Sequence, residues 1–131
     1  SALWGRDNRG AMLRVLGGPG DAGTRIENRI GEPMANPYLY MASQVHAGLD
    51  GLRRRLQPPP ATDDPYGEQA NRLPTSLDAA LDALEGSAVM AEGFGADLLR
   101  LLVRIKRAES LRHAQAEDAD EWQRREYFSR Y

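Results

Sequence analysis

Residues 24–40, TRIENRIGEPMANPYLY, decide how this chain is read. From Thr24 to Ile30 the residue character alternates strictly. Thr24, Ile26, Asn28 and Ile30 fall on one side, and Arg25, Glu27 and Arg29 on the other. A period of two is the signature of a β-strand. Gly31 and Pro33 then break the pattern, and Asn36-Pro37 opens a helix. Asparagine accepts from the free backbone N–H groups of a first turn, and proline at the first helical position has none to lose. What calls for explanation is the charged side of the strand, where a glutamate stands between two arginines.

Upstream, residues 11–16, AMLRVL, are apolar and branched enough for a second strand, and residues 17–23, GGPGDAG, are too rich in glycine for regular structure. Together the two strands make a hairpin with a loop longer than the favoured turns. Residues 1–10, SALWGRDNRG, are rich in arginine and strand-like. Downstream, Leu39, Ala42, Val45, Leu49, Leu52 and Leu56 recur at spacings of three and four, one face of a helix. Gly48 and Gly51 within it are expected to mark close packing, since each weakens a helix by about 1 kcal/mol relative to alanine.

Residues 57–67, QPPPATDDPYG, cannot continue that helix and form a loop. Residues 74–87 read as a short helix capped by Thr75 or Ser76, with Leu77, Leu81 and Leu84 inside. Residues 96–117 are the longest helix, with Leu98, Leu101, Leu102, Ile105, Ala108 and Leu111 as its apolar face. Residues 118–131 are a terminal helix anchored by Trp122 and by Tyr127 or Phe128. The expected fold class is α+β, mostly α: a β-hairpin (about 11–16 and 24–30) followed by about four helices.

Composition narrows the function. The chain has 131 residues, 41% hydrophobic and 27% charged, as expected of one globular domain. A net charge of −2 lacks the basic field of a nucleic-acid binder. Arginine content is all that speaks for that class, and Lys106 is the only lysine. With no cysteine there is no disulfide framework, thiolate metal site or thiol nucleophile, which suits a cytoplasmic setting. No stretch approaches the ~18 apolar residues of a membrane span. The chain opens without methionine, directly into strand-like sequence, and is expected to be a segment of a longer protein.

The charged side of the strand has two readings. One is an exposed face whose opposite charges pair, a common feature that contributes about 0–1 kcal/mol. The other needs further groups to converge, and Arg9 and Arg14 stand ready on the preceding segment. Four arginines and a glutamate suit a triphosphate and its metal. Guanidinium groups clamp phosphoryl oxygens bidentately, and a carboxylate supplies an oxygen ligand for Mg²⁺.

Several motifs carry a resemblance: NRGAMLRV (8–15), RIENR (25–29), ANPYLY (35–40) and AGLDG (47–51), in this order and spacing. They closely resemble the C-terminal part of the glutamine synthetase superfamily. LPTSLDAALDAL, IKRAE and EWQRREYFSRY look like its branch of γ-glutamyl-amide ligases related to γ-glutamylpolyamine synthetase. The resemblance covers essentially the whole chain. It implies that residues 1–131 are the C-terminal segment of a catalytic domain, with the N-terminal β-grasp domain and the first half of the catalytic domain lying before it.

It also implies an ATP-dependent ligase that joins glutamate, through a γ-glutamyl phosphate, to ammonia or an amine, with Mg²⁺ or Mn²⁺ as cofactor. Carried over by motif, Arg9 contacts the phosphates and the transferring phosphoryl group, Arg14 a nucleotide phosphate, and Arg25 the ATP side. Glu27 matches a metal ligand, and Arg29 an arginine near the substrate γ-carboxylate and the phosphoryl moved to it. Arg9 and Arg29 are thus the catalytic candidates; Arg9, Arg14 and Arg25 hold the nucleotide. The loop GPGDAG departs from the family's Ser-Pro-Lys-Ala-Arg, so a basic residue is missing there. Full-length relatives form double hexameric rings, so a homo-oligomer is expected of the parent protein. The family's remaining metal ligands and ammonium-site acids lie outside this segment, so the isolated chain is expected to be inactive. The alternative is a stand-alone or degenerate module that serves assembly or regulation.

Other residues carry blander readings. His46 reads as a helix-packing histidine, and His113 as exposed among polar neighbours. The arginines of residues 52–56, LRRRL, complement a helix C-terminus. Tyr66 lies near where some bacterial members carry a nucleotidylated tyrosine, but in DDPYGEQ it reads as a loop residue. Trp122, Tyr127, Phe128 and Tyr131 dock the terminal helix, a tail to which the family gives a part in subunit contacts.

Overall fold

Alternating residues become strands here only where a neighbouring strand takes up their backbone groups. In a computed structural model, which describes residues 1–67 and 72–128, three strands do so. They are β1 (Trp4–Arg6), β2 (Leu13–Leu16) and β3 (Arg25–Asn28), in the order β1-β2-β3. The hairpin β2–β3 is antiparallel, with Arg14 opposite Glu27 and Val15 opposite Ile26. β1 lies parallel to β2, with Gly5 beside Arg14. Five helices follow: α1 (Pro37–Arg53), α2 (Leu77–Glu85), α3 (Ala88–Phe94), α4 (Ala96–Ala114) and α5 (Ala119–Gln123), which runs on into a π-helical turn, Arg124–Phe128.

Two compact units divide the chain, Ser1–Ala35 with Arg55–Leu73, and Asn36–Arg54 with Pro74–Tyr131. In the first, the returning loop covers β1. The Thr62 N–H donates to the Trp4 carbonyl at 2.9 Å, and the Trp4 indole N–H to the Pro59 carbonyl at 2.7 Å. The approach is so close that a Cβ on the buried Gly5 would stand 2.9 Å from the Thr62 carbonyl oxygen and 2.9 Å from Asn8 Cβ. Pleating sends Leu13, Val15 and Ile26 to one face of the sheet and Arg14, Arg25 and Glu27 to the other. The apolar face, with Trp4, Pro58 and Pro59, borders a recess of 310 Å³.

In the second unit each helix has a local reason to start. The Asn36 side chain accepts from the N–H groups of Tyr38 and Leu39, and Pro37 takes the first helical position. Ser76, Ser87 and Asp118 cap α2, α3 and α5 in the same way. α3 ends and α4 begins at Gly95, whose φ of 81° lies in the left-handed region that glycine tolerates. α1 and α3 are joined by an Arg53–Glu92 ion pair at 2.7 Å and by an edge-on contact of His46 and Phe94, centroids 5.4 Å apart. His46 is therefore a helix-packing residue.

Several expectations are corrected. β1 and α3 were not anticipated as separate elements, and the first helix stops at Arg53, before Leu56. The anticipated apolar face of α4 is not the one α2 covers. Leu99 and Val103 are buried with Leu81, whereas Leu98, Leu101, Ile105 and Leu111 are exposed. Apolar residues run almost all round the first half of this helix, so periodicity alone did not single out the inner face. Polar bonds register it instead: Arg107 reaches Asp82 at 2.7 Å and Glu85 at 2.8 Å, and Ser110 donates to Asp78 at 3.0 Å.

α1 likewise has no buried residue, and Val45, Leu49 and Leu52 are exposed. A Cβ at Gly48 or Gly51 would meet nothing within 4 Å, so these glycines answer no close contact among the described residues. His113 is not exposed; it is half-buried, edge-on to Trp122 at 5.1 Å, and its buried Nε2 has no hydrogen-bond partner among the described residues. Trp122 and Tyr127 anchor the tail, while Phe128 stays exposed and Tyr131 lies outside the described residues.

Candidate functional site

The polar face of the hairpin gathers the charged residues. Arg14 and Glu27 are cross-strand partners, so their side chains rise from the same face side by side. Arg14 Nη1 donates to Glu27 Oε2 at 3.1 Å, and Arg29 Nη1 to Glu27 Oε1 at 2.8 Å. Arg29 lies one residue beyond β3, and its backbone N–H donates to the Met12 carbonyl at 2.9 Å. Its Nε donates to the backbone carbonyl of Arg9 at 2.9 Å, which ties the residue to the β1–β2 link. A carboxylate thus sits between two guanidinium groups, each aimed from its own backbone anchor.

The five sequence-nominated residues do not all converge. Arg14, Glu27 and Arg29 form one hydrogen-bonded cluster. Arg9 joins it through its carbonyl, and the residue itself is exposed. Arg25 shares the strand face, but its guanidinium turns back on the loop and donates to the Gly23 carbonyl at 2.9 Å. One further participant was missed. Asp7 Oδ1 accepts from Arg14 Nε at 3.0 Å and pairs with Arg14 Nη2 as well. The available signal was an acidic residue directly before the Asn8-Arg9 pair, in GRDNRG.

Electrostatics follow from the contacts. Hydrogen bonding to Arg14, with the charges of Arg29 and Arg14, holds the Glu27 carboxyl below its ordinary range. Arg14, hydrogen-bonded to Asp7 and then to Glu27, is held still more firmly in its charged form. Its side chain is only 14% exposed, against 36% for Glu27, so the pairs lie at a half-sheltered surface. Among the described residues no group of three or more His, Asp or Glu side chains stands ready for a metal ion. Glu27 therefore fits a divalent cation as a single ligand. Its oxygens keep lone-pair capacity beyond one N–H each, but the rest of a coordination shell must come from elsewhere.

With this geometry in view, the comparisons are specific. The family described as glutamine synthetase, catalytic domain, matches residues 1–127, and the chain belongs to it. It is 43% identical to a γ-glutamylanilide synthase of an Acinetobacter species, over 96% of this chain and 27% of that protein. It is 36% identical to lengsin of Homo sapiens, over 81% of this chain and 21% of that protein. It is 34% identical to a glutamine synthetase of Methanococcus maripaludis, over 95% of this chain and 29% of that protein. The chain thus spans about a quarter of the length of these relatives.

Proposed function

We propose that this chain is the C-terminal segment of the catalytic domain of an ATP-dependent carboxylate–amine ligase, acting in the cytoplasm, and that its hairpin forms the phosphate-facing wall of the site. The observation that carries the reading is the Arg14–Glu27–Arg29 cluster, three convergent groups on the polar face of the β2–β3 hairpin. ATP supplies the phosphoryl group and a divalent cation neutralises its charge when both are bound. Phosphoryl transfer asks the protein mainly for positioning and charge stabilisation, which guanidinium groups provide without a protein nucleophile.

In this reading Arg14 would hold a nucleotide phosphate, Arg25 would do so once released from the Gly23 carbonyl, Glu27 would give one oxygen to the cation, and Arg9 and Arg29 would supply positive charge toward the transferred phosphoryl group. The pairing of Arg29 with Glu27 supports its part, because it holds the guanidinium in place beside the carboxylate that would take the cation. The acid substrate is glutamate, and the acceptor is ammonia or an amine. The similarity to a protein named γ-glutamylanilide synthase favours an amine larger than ammonia. The parent protein is a homo-oligomer of ring type, in keeping with its family.

One wall does not make a site, so the chain alone is predicted to form no ADP in a glutamate-dependent way. A chimera in which residues 1–131 replace the matching segment of the Methanococcus maripaludis glutamine synthetase should restore it. Arg29→Ala in that chimera should cut the rate about a hundredfold. Glutamate-dependent turnover by the chain alone would overturn the fragment reading, and full activity of the Arg29→Ala chimera would overturn the role of the cluster.

A further inference from the structure

We propose that Asp7 is a positioning residue for Arg14, one that divides its donors so that Glu27 is never closed by a two-pronged guanidinium clasp. The inference rests on the phosphate-wall reading above. Asp7 is one residue past β1, and its backbone N–H donates to the Val15 carbonyl at 2.9 Å. Its φ is 47°, a left-handed conformation in which aspartate and asparagine are among the few tolerated side chains. The neighbouring turn is pinned by Gly10 N–H donating to Asn8 Oδ1 at 2.9 Å, and by Asn8 Nδ2 donating to the Asp63 carbonyl at 3.2 Å. The carboxylate is therefore presented by a held backbone, not by a loose loop.

A guanidinium offers five donors in a planar fork and strongly favours two parallel bonds to one carboxylate. Asp7 occupies the Nε and Nη2 edge of Arg14, which leaves Nη1 to approach Glu27 Oε2 singly. Arg29 likewise gives Glu27 Oε1 one bond. Each Glu27 oxygen thus keeps capacity for another partner, and Arg14 Nη1 meets Glu27 through one bond alone. Without Asp7, the Nε–Nη2 edge of Arg14 is free to swing onto Glu27. That would close the carboxylate and withdraw the guanidinium from the phosphate side.

The test is carried out on the 131-residue chain with Asp7→Asn, which keeps the left-handed backbone, and with Asp7→Gly, which suits that backbone even better. Arg14 side-chain nitrogen resonances report whether its guanidinium is held, and calorimetry with inorganic triphosphate and Mg²⁺ reports the clamp. In wild type the Nη signals of Arg14 should be distinct. In both variants they should stay distinct but move, together with the Glu27 side-chain carboxyl resonance, as the fork closes on Glu27, and triphosphate affinity should fall about tenfold, as for other supporting contacts. Asp7→Glu should recover part of both readouts. Arg14 and Glu27 signals that keep their wild-type positions in the variants, or Arg14 signals that merge as in a freely rotating guanidinium, would overturn the proposal, as would unchanged triphosphate affinity. Moved Arg14 and Glu27 signals in a chain whose wild type binds no triphosphate would uphold the positioning role and count against the phosphate reading alone.

Discussion

Glu27 carries the argument at the scale of single residues. It is the only acid among the five nominated residues, and both its oxygens face arginines. Its folded-state pKa is depressed, chiefly by the hydrogen bond from Arg14. A depressed carboxylate adds stability that is present above its unfolded pKa and disappears as pH falls through the folded one. In metal-free buffer the cluster should therefore be intact at neutral pH and open only in acid below the ordinary glutamate range. Arg14→Gln should raise the Glu27 midpoint toward that range, as read from its side-chain carbonyl resonance. An unmoved midpoint would mean that Arg14 is not the main cause. At this scale Glu27 and Arg29 were legible from alternation, and Arg14 from its motif. Asp7 was not, because its role depends on a left-handed turn that no periodicity announces.

At the scale of elements, local chemistry was easy to read and packing was not. Asn36-Pro37 starts α1 and Ser76 starts α2, since caps depend on residues within one turn. β1 escaped because three residues carry too little pattern, and it exists through its bonds to β2 and to the returning loop. The inner face of α4 was misread because its first half is apolar on more than one side. Glu109 was missed for the opposite reason. It looks like a surface acid of an amphipathic helix, yet it is 1% exposed, paired with Lys106 Nζ at 2.7 Å and accepting from the Tyr127 hydroxyl at 3.2 Å. The π-helical turn is the element that carries Tyr127 to it. Removing the lysine would leave the buried carboxylate with less compensation for its charge. Lys106→Met should therefore destabilise this unit by about 3 kcal/mol in urea unfolding. A loss within experimental error would show that Glu109 is held by its other contacts.

At the scale of the whole molecule, family and coverage are what the comparisons supply. The chain belongs to the glutamine synthetase catalytic-domain family but covers about a quarter of its relatives' length. Among its described residues no group of three or more His, Asp or Glu side chains is placed for a metal ion. The apolar stripes that periodicity marked on α1 and α4 lie largely open rather than in the core. The fold class was legible because motif order and caps are local. The completeness of the site was legible only as an expectation drawn from the family resemblance, since no spacing within these residues speaks to it.

The central claim is that the hairpin is a phosphate wall that binds without turning over. The most direct test is the phosphorus spectrum of MgATP titrated with the chain and with its Arg14→Ala/Arg29→Ala variant. The account predicts that the β- and γ-phosphate resonances broaden and shift with wild type, that the variant leaves them almost unmoved, and that no ADP accumulates. Equal perturbation by both proteins, or none by either, would contradict it.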